Sequence, residues 1–131
     1  YRVRYKVGTT VKKALLSMEN EYYVNDSNDN RNNYYDYWVW KVNNSISGNV
    51  TKKLYCSAGF NFERKNYTVR PVSGVNAVRY DDKYTLTGNA SYDINKTWRV
   101  AYGLTFDHLG SNEPTGEYDN NKQSLTVTAK F

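Results

Sequence analysis

Apolar and polar side chains alternate with a period of two along most of the chain. The alternation is clearest over residues 54–63, 84–92 and 98–107, where one set of alternate positions is apolar and the other is polar. A period of two is typical of β-strands, because successive side chains point to opposite faces of a sheet. No segment shows a convincing helical period. The pattern therefore predicts an all-β chain whose sheet has one apolar and one polar face.

Polar connections divide this pattern into hairpins. Short connections at Thr9–Lys13, Thr51–Lys53 and Asp93–Thr97 alternate with long ones at Asn25–Asn33, Thr68–Asp82 and Gly110–Asn121. Their Asn, Asp, Ser, Gly and Pro residues are those that turns and loops favour. We therefore expect an antiparallel up-and-down sheet formed by one segment, residues 1–131. Its seven predicted strands cover residues 1–9, 13–24, 34–50, 53–67, 82–93, 97–108 and 122–131.

The turn positions also predict which residues face each other within the hairpins. Placing Val7 opposite Leu16, Val50 opposite Leu54 and Tyr92 opposite Trp98 defines three registers. These registers bring opposite charges together as Arg2 with Glu21, Arg4 with Glu19, Lys41 with Glu63 and Lys83 with Asp107. A cross-strand charge pair contributes about 0.2–1 kcal/mol, so the agreement is evidence for the register more than for stability.

The dimensions of the apolar face favour a membrane as its surroundings. Tyr84–Tyr92 and Trp98–Phe106 each span nine residues, and a transmembrane strand needs about 9–11. Tyr84, Tyr92, Trp98 and Phe106 stand at the ends of these faces, as in the aromatic girdles of membrane barrels. The alternative is a soluble β-sandwich or small ligand-binding barrel. It fits less well, because the opposite face is rich in Ser, Thr, Asn and Gly rather than Lys and Glu.

The last nine residues carry a resemblance to a known class. Residues 123–131 read Gln-Ser-Leu-Thr-Val-Thr-Ala-Lys-Phe, and this segment resembles the final strand of Gram-negative outer-membrane β-barrels. The resemblance implies an antiparallel up-and-down transmembrane β-barrel in the bacterial outer membrane, with Phe131 ending a signal that the barrel assembly machinery reads. Leu125, Val127 and Ala129 would be its other apolar positions. Ala129 departs from the pattern, because an aromatic residue is common there.

The strand number predicts that this barrel is larger than the chain. Complete single-chain bacterial barrels have an even number of strands, whereas seven are read here. An open sheet would also leave unpaired backbone groups in lipid. We therefore expect the last seven strands of a larger barrel, or one chain of a barrel made from several. The partners implied are outer-membrane lipid, the assembly machinery and the remaining strands.

Composition excludes several other classes of function. The chain has 14 Tyr, a net charge of +5 and no long apolar run, so a transmembrane helix is excluded. The basic residues form no unbroken block, which gives nucleic-acid binding little support. No signal peptide is recognisable. Cys56 is the only cysteine and His108 the only histidine, without a nucleophile constellation or metal-ligand spacing around them. We therefore predict no cofactor, metal site or enzymatic activity.

A polar inner face of such a barrel usually lines a diffusion channel. The predicted lumen residues are Arg2, Arg4, Lys6, Glu19, Glu21, Lys41, Glu63, Lys83, Arg99, Asp107 and Lys130. Seven are basic and four acidic, so a porin-like channel with a mild preference for anions is expected. The alternative is a scaffold without an open pore, which holds a plug, lipoprotein or redox partner or anchors a surface assembly.

Overall fold

The computed structural model describes residues 1–26 and 33–129. Seven antiparallel strands form one sheet in the order β1 to β7, so the predicted all-β up-and-down architecture is confirmed. The strands are β1 Arg2–Val11, β2 Ala14–Asn25, β3 Tyr37–Asn49, β4 Leu54–Val72, β5 Val75–Asp93, β6 Trp98–Ser111 and β7 Tyr118–Ala129. The first and last strands make no contact, so the sheet formed by the described residues is open. Within those residues, no helix is long and apolar enough to cross a membrane.

Three tight turns lie at one end of the sheet, which we call the turn end. The β1–β2 turn consists of two residues, and Lys12 adopts a left-handed backbone conformation there with φ of 55°. In the β3–β4 turn, Thr51 Oγ1 accepts hydrogen bonds from the backbone N–H groups of Lys53 and Leu54. In the β5–β6 turn, Asn95 Oδ1 accepts hydrogen bonds from the backbone N–H groups of Thr97 and of Trp98, the first residue of β6. These side-chain oxygens supply local acceptors that stabilise the turns.

The opposite end, which we call the loop end, differs from the prediction between β4 and β5. The predicted loop Thr68–Asp82 is wrong, because β4 and β5 each continue for 19 residues and meet at a short turn at Ser73 and Gly74. Gly74 has φ of 76°, a conformation that glycine adopts at no steric cost. Pro71 has no N–H for the ladder, and the strands accommodate it by register shifts between Asn66 and Val72.

Two of the three predicted registers are wrong by two residues. Val50–Leu54 lies as predicted, and Lys41 faces Glu63. Val7 faces Met18 instead of Leu16, because β1 continues to Val11 before it turns. Tyr92 faces Val100 instead of Trp98, so Lys83 faces Leu109 and not Asp107. A shift of two residues leaves every side chain on its predicted face, whereas a shift of one would have reversed them.

Burial is distributed over the sheet in the reverse of the usual soluble pattern. The buried carboxylates Glu21 and Asp107 lie on the polar face, 4% and 8% exposed, and Val39 between them in the sheet is fully buried. On the apolar face, large side chains such as Trp40, Leu86 and Leu104 are 43–49% exposed. No second layer of described residues covers this face. The sheet therefore shields charges on one face and exposes apolar groups on the other.

Candidate functional site: the charged face of the sheet

Ten of the predicted lumen residues lie on one face, the polar face. They are brought together because β-strand alternation places the even residues of β1 beside the odd residues of β2 to β6. The ten residues are Arg2, Arg4, Lys6, Glu19, Glu21, Lys41, Glu63, Lys83, Arg99 and Asp107. Lys130 lies outside the described residues.

Five of these residues form a row of alternating charge across β1 to β5, which we call the charge ladder. The row consists of Arg4, Glu21, Lys41, Glu63 and Lys83, each directly opposite the next. Lys41 Nζ lies 2.7 Å from Glu63 Oε2, and Arg4 Nη2 lies 3.5 Å from Glu21 Oε2. Of the neighbouring pairs in this row, sequence reasoning predicted only Lys41 with Glu63, because the β1–β2 register was shifted and pairing between successive hairpins needs the register of the long connections.

The cations of β1 converge on the two carboxylates of β2. Arg2 forms an ion pair with Glu21, Arg4 lies 3.4 Å from a Glu19 oxygen, and Lys6 lies 4.0 Å from the other. The predicted pairing of Arg2 with Glu21 and Arg4 with Glu19 therefore exists, but as diagonal contacts across the shifted register. Two carboxylates of β2 thus pair with three cations of β1, which leaves an excess of positive charge along β1.

Contrary to the prediction, Asp107 does not lie directly opposite Lys83. It faces Thr85, whose hydroxyl donates a 2.6 Å hydrogen bond to Asp107 Oδ1. Lys83 approaches the same oxygen diagonally, with its Nζ 3.9 Å away. At the turn end, Arg99 donates two hydrogen bonds of 2.7 and 2.9 Å to Asp93.

The charge ladder borders a polar hollow of about 370 Å³ on this face. Its lining combines charged groups with the amides Asn43 and Asn61 and the Thr85 hydroxyl. Asn43 Nδ2 donates a 3.5 Å hydrogen bond to Glu19, so the amides extend the network. Such a surface can solvate small polar or charged molecules.

A second polar group at the loop end surrounds Tyr67, and we call it the upper cluster. Arg79 donates hydrogen bonds of 2.9 and 3.1 Å to Asp81, which also accepts bonds from Ser111 at 2.5 Å and Tyr67 at 3.3 Å. Burial raises the pKa of the Asp81 carboxyl, but these hydrogen bonds and the Arg79 charge outweigh it, so the pKa is lowered overall.

Two cations near the upper cluster contact aromatic rings rather than carboxylates. Lys65 Nζ lies 3.8 Å from the centre of the Tyr37 ring and 4.8 Å from that of Tyr67. Arg70 lies 5.1 Å from the Tyr67 ring and 5.5 Å from that of Tyr34. Sequence reasoning missed this group because it placed residues 68–82 in a loop. The β-branched and aromatic residues on both sides of Ser73-Gly74 were the available hairpin signal.

The apolar face carries an aromatic band towards the loop end. Trp40, Phe62, Tyr84 and His108 follow one another with ring centres 5.7, 5.1 and 6.1 Å apart. All four predicted girdle residues lie on this face: Tyr84, Tyr92, Trp98 and Phe106, each 38–46% exposed. Beyond the band towards the loop end, Arg64 forms a bidentate ion pair with Asp82, with distances of 2.6 and 2.7 Å.

Polar residues interrupt the apolar face at several positions, among them Asn20, Asn44 and the start of β7. Asn44, between Met18 and Phe60, lies within the wall of a largely apolar hollow of about 550 Å³. On β7, Asp119, Asn121 and Gln123 occupy the apolar face, where His108 Nδ1 and Asp119 Oδ1 are 2.7 Å apart. Asp107 points to the other face, so His108 and its sequence neighbour share no site.

Other candidate chemistry finds no support in the described part of the chain. Residues 1–26 and 33–129 hold no group of three or more side chains that could bind a metal ion. Cys56 is a half-buried free thiol on the apolar face. Of the predicted assembly signal, Leu125, Val127 and Ala129 share the apolar face of β7, and Phe131 lies outside the described residues.

No protein-family model, no curated protein and no solved structure matches this chain.

Proposed function

We propose that the chain is a wall segment of a bacterial outer-membrane β-barrel that forms a porin-like channel. The observation that carries this proposal is the reversed burial of the sheet. Large apolar side chains stand on an uncovered face, while Glu21 and Asp107 are shielded on the other. Exposed apolar surface of this extent is costly in water and favourable in lipid.

The dimensions of the apolar face support the same environment. Between Tyr84 and Tyr92 the strand advances eight residues, or roughly 27 Å at 3.4 Å per residue. Tilted by about 35–45°, a strand of that length crosses roughly 19–22 Å, which approaches the apolar band of about 25 Å in outer-membrane barrels. The aromatic band at one limit and Tyr92 with Trp98 at the other correspond to interfacial girdles.

The charges of the polar face support a channel with a mild preference for anions. Of the ten predicted lumen residues that are described, six are basic and four are acidic. Their ion pairs fix the side chains against the wall and leave a net positive field along the hollow. Small anionic solutes are the class of cargo that this field favours.

Planar-bilayer recordings of the purified assembly test the channel. We expect conductance well above the lipid baseline and a reversal potential that indicates anion preference in a KCl gradient. Lys83→Gln removes a positive charge from the polar face and should reduce that preference. Arg64→Gln removes the same charge from the apolar face and should leave it unchanged. Baseline conductance from a correctly inserted assembly contradicts the channel.

A scaffold without an open pore is the second candidate, and the length of β4 and β5 favours it. Both strands continue past the aromatic band, and from Asp82 to Val75 β5 advances seven residues, roughly 24 Å. The upper cluster and the bond from the Ser73 N–H to Glu113 hold this extension in place. A rigid arm of this kind suits the anchoring of a surface assembly, and a silent bilayer recording would favour it.

A further inference from the structure

Among the described residues, β1 pairs only with β2, and its other edge combines unpaired backbone groups with excess positive charge. The Val24 N–H donates to the Tyr1 carbonyl at 2.9 Å, so Tyr1 and Val24 are a hydrogen-bonded pair of the ladder. Hydrogen-bonded and non-hydrogen-bonded pairs alternate in antiparallel sheets. The N–H and C=O groups of Arg2, Arg4 and Lys6 therefore point away from β2, towards the open edge.

The side chains of these residues lie on the polar face and remain largely accessible. Arg2, Arg4 and Lys6 are 62%, 53% and 65% exposed, respectively. Their partners Glu19 and Glu21 are 17% and 4% exposed. Glu19 also accepts a hydrogen bond from Asn43, and Glu21 faces Lys41. The carboxylates of β2 are thus shared with β3 and do not balance the three cations of β1.

A second copy of the chain does not complement this edge. An antiparallel pair of two β1 strands would place cations against cations, and like charges directly opposite are destabilising. The other edge, β7, presents Lys122 on the polar face and no carboxylate among its described residues there. Because seven strands alternate in direction, β1 and β7 also run the same way. Closing the sheet on itself, or joining copies in a ring, would require a parallel pair.

We propose that β1 is a docking edge for an antiparallel strand that presents carboxylates at alternate positions on the polar face. Side chains opposite Arg2, Arg4 and Lys6 would lie in hydrogen-bonded pairs, with Cα atoms about 5.5 Å apart. The docked strand would extend the charge ladder by one position. Its carboxylate would lie beside Arg4, on the side opposite Glu21. Opposite charge would fix both partner and register at this edge.

The β2 segment supplies a probe, since it carries Glu19 and Glu21 two positions apart and pairs antiparallel with β1. A synthetic peptide of residues 14–25 is added to the isotope-labelled 131-residue chain in detergent micelles, and amide hydrogen exchange is measured by NMR. We expect protection of the Arg4 and Lys6 amides. A peptide with Lys at both Glu positions should bind on the order of tenfold more weakly, since each charge pair changes affinity about 1.4- to 5-fold.

A complementary experiment reverses charges in the protein instead of in the peptide. The double variant Arg4→Glu with Lys6→Glu should prefer the Lys-substituted peptide, whereas Lys122→Glu on the other edge should keep the original preference. Retained protection of the β4 and β5 amides shows that each variant is folded, and the peptide series on the unaltered chain tests the proposal without any variant.

Three results would overturn the docking edge. They are equal affinity for the acidic and Lys-substituted peptides, protection confined to β7, and absence of peptide binding. If the peptide displaced the native β2 strand instead of docking at the open edge, the Arg4 and Lys6 amides would stay unprotected. The two binding modes can therefore be distinguished. The proposed channel is tested separately by conductance, so the edge can fail while the channel stands, and the reverse.

Discussion

The stability of charge variants distinguishes a continuous row of interacting charges from a set of independent ion pairs. Glu63 faces Lys41 on one side and Lys83 on the other. Glu63→Lys turns two attractive contacts into repulsive ones. With about 0.2–1 kcal/mol for each contact in either direction, the free energy of unfolding should fall by about 1–4 kcal/mol.

The charge swap Lys41→Glu with Glu63→Lys is the decisive variant. It restores an opposite pair between these two positions, so independent pairs would regain their stability. In the ladder, however, the new glutamate at position 41 faces Glu21 and the new lysine at position 63 faces Lys83. The swap therefore again contains two like-charge contacts, and we expect it to be about as unstable as Glu63→Lys alone.

The ion pair Arg64–Asp82, which joins β4 to β5, provides a matched control. Its neighbours along the row are Trp40 and Gly110, which carry no charge. The swap Arg64→Asp with Asp82→Arg should therefore recover most of the stability that either single reversal loses.

Denaturant unfolding followed by tryptophan fluorescence measures both series in micelles, at low and at high salt. Salt should reduce the loss in the ladder variants, because these side chains are partly exposed to solvent. Recovery of the Lys41–Glu63 swap to the level of the control swap would refute the ladder.

Three further predictions follow from local contacts. Gly48→Ala should cost about 1–3 kcal/mol of unfolding free energy, because its Cβ would lie 2.5 Å from the Lys13 carbonyl oxygen, whereas Gly8→Ala should be nearly neutral by the same unfolding assay. The backbone hydrogen bond from Ser73 lowers the pKa of Glu113, so the attachment of the β4–β5 extension should persist above the ordinary value of 4.5 and weaken as pH falls through the lowered pKa. Hydrogen exchange of the extension measures this loss, and Glu113→Gln should flatten its pH dependence. Deletion of Phe131 should reduce the amount of heat-modifiable barrel in membranes, and unchanged amounts would contradict its role in assembly.

The alternation of side chains determined the class of fold and the two faces of the sheet. This information is local, because a period of two assigns each side chain to a face whatever its neighbours are. It placed Lys41, Glu63 and Lys83 together on the polar face even though the β5–β6 register, which involves Lys83, was wrong by two residues. The β3–β4 register was predicted correctly from the turn at Thr51–Lys53, whereas the β5–β6 register was not, although Asn95 supplies the same kind of side-chain acceptor in that turn.

The tertiary structure decided the features that depend on contacts between hairpins or on backbone conformations that are uncommon for the residue type. Lys12 adopts a left-handed backbone conformation in a two-residue turn. Its residue type does not predict this conformation, and the turn shifts the β1–β2 register. Pro71 indicates a loop by itself, but pairing with β5 carries the strand past it and creates the upper cluster. The charge ladder and the free β1 edge likewise arise only when all strand registers act together, because local pattern specifies faces and not the partner across a long connection.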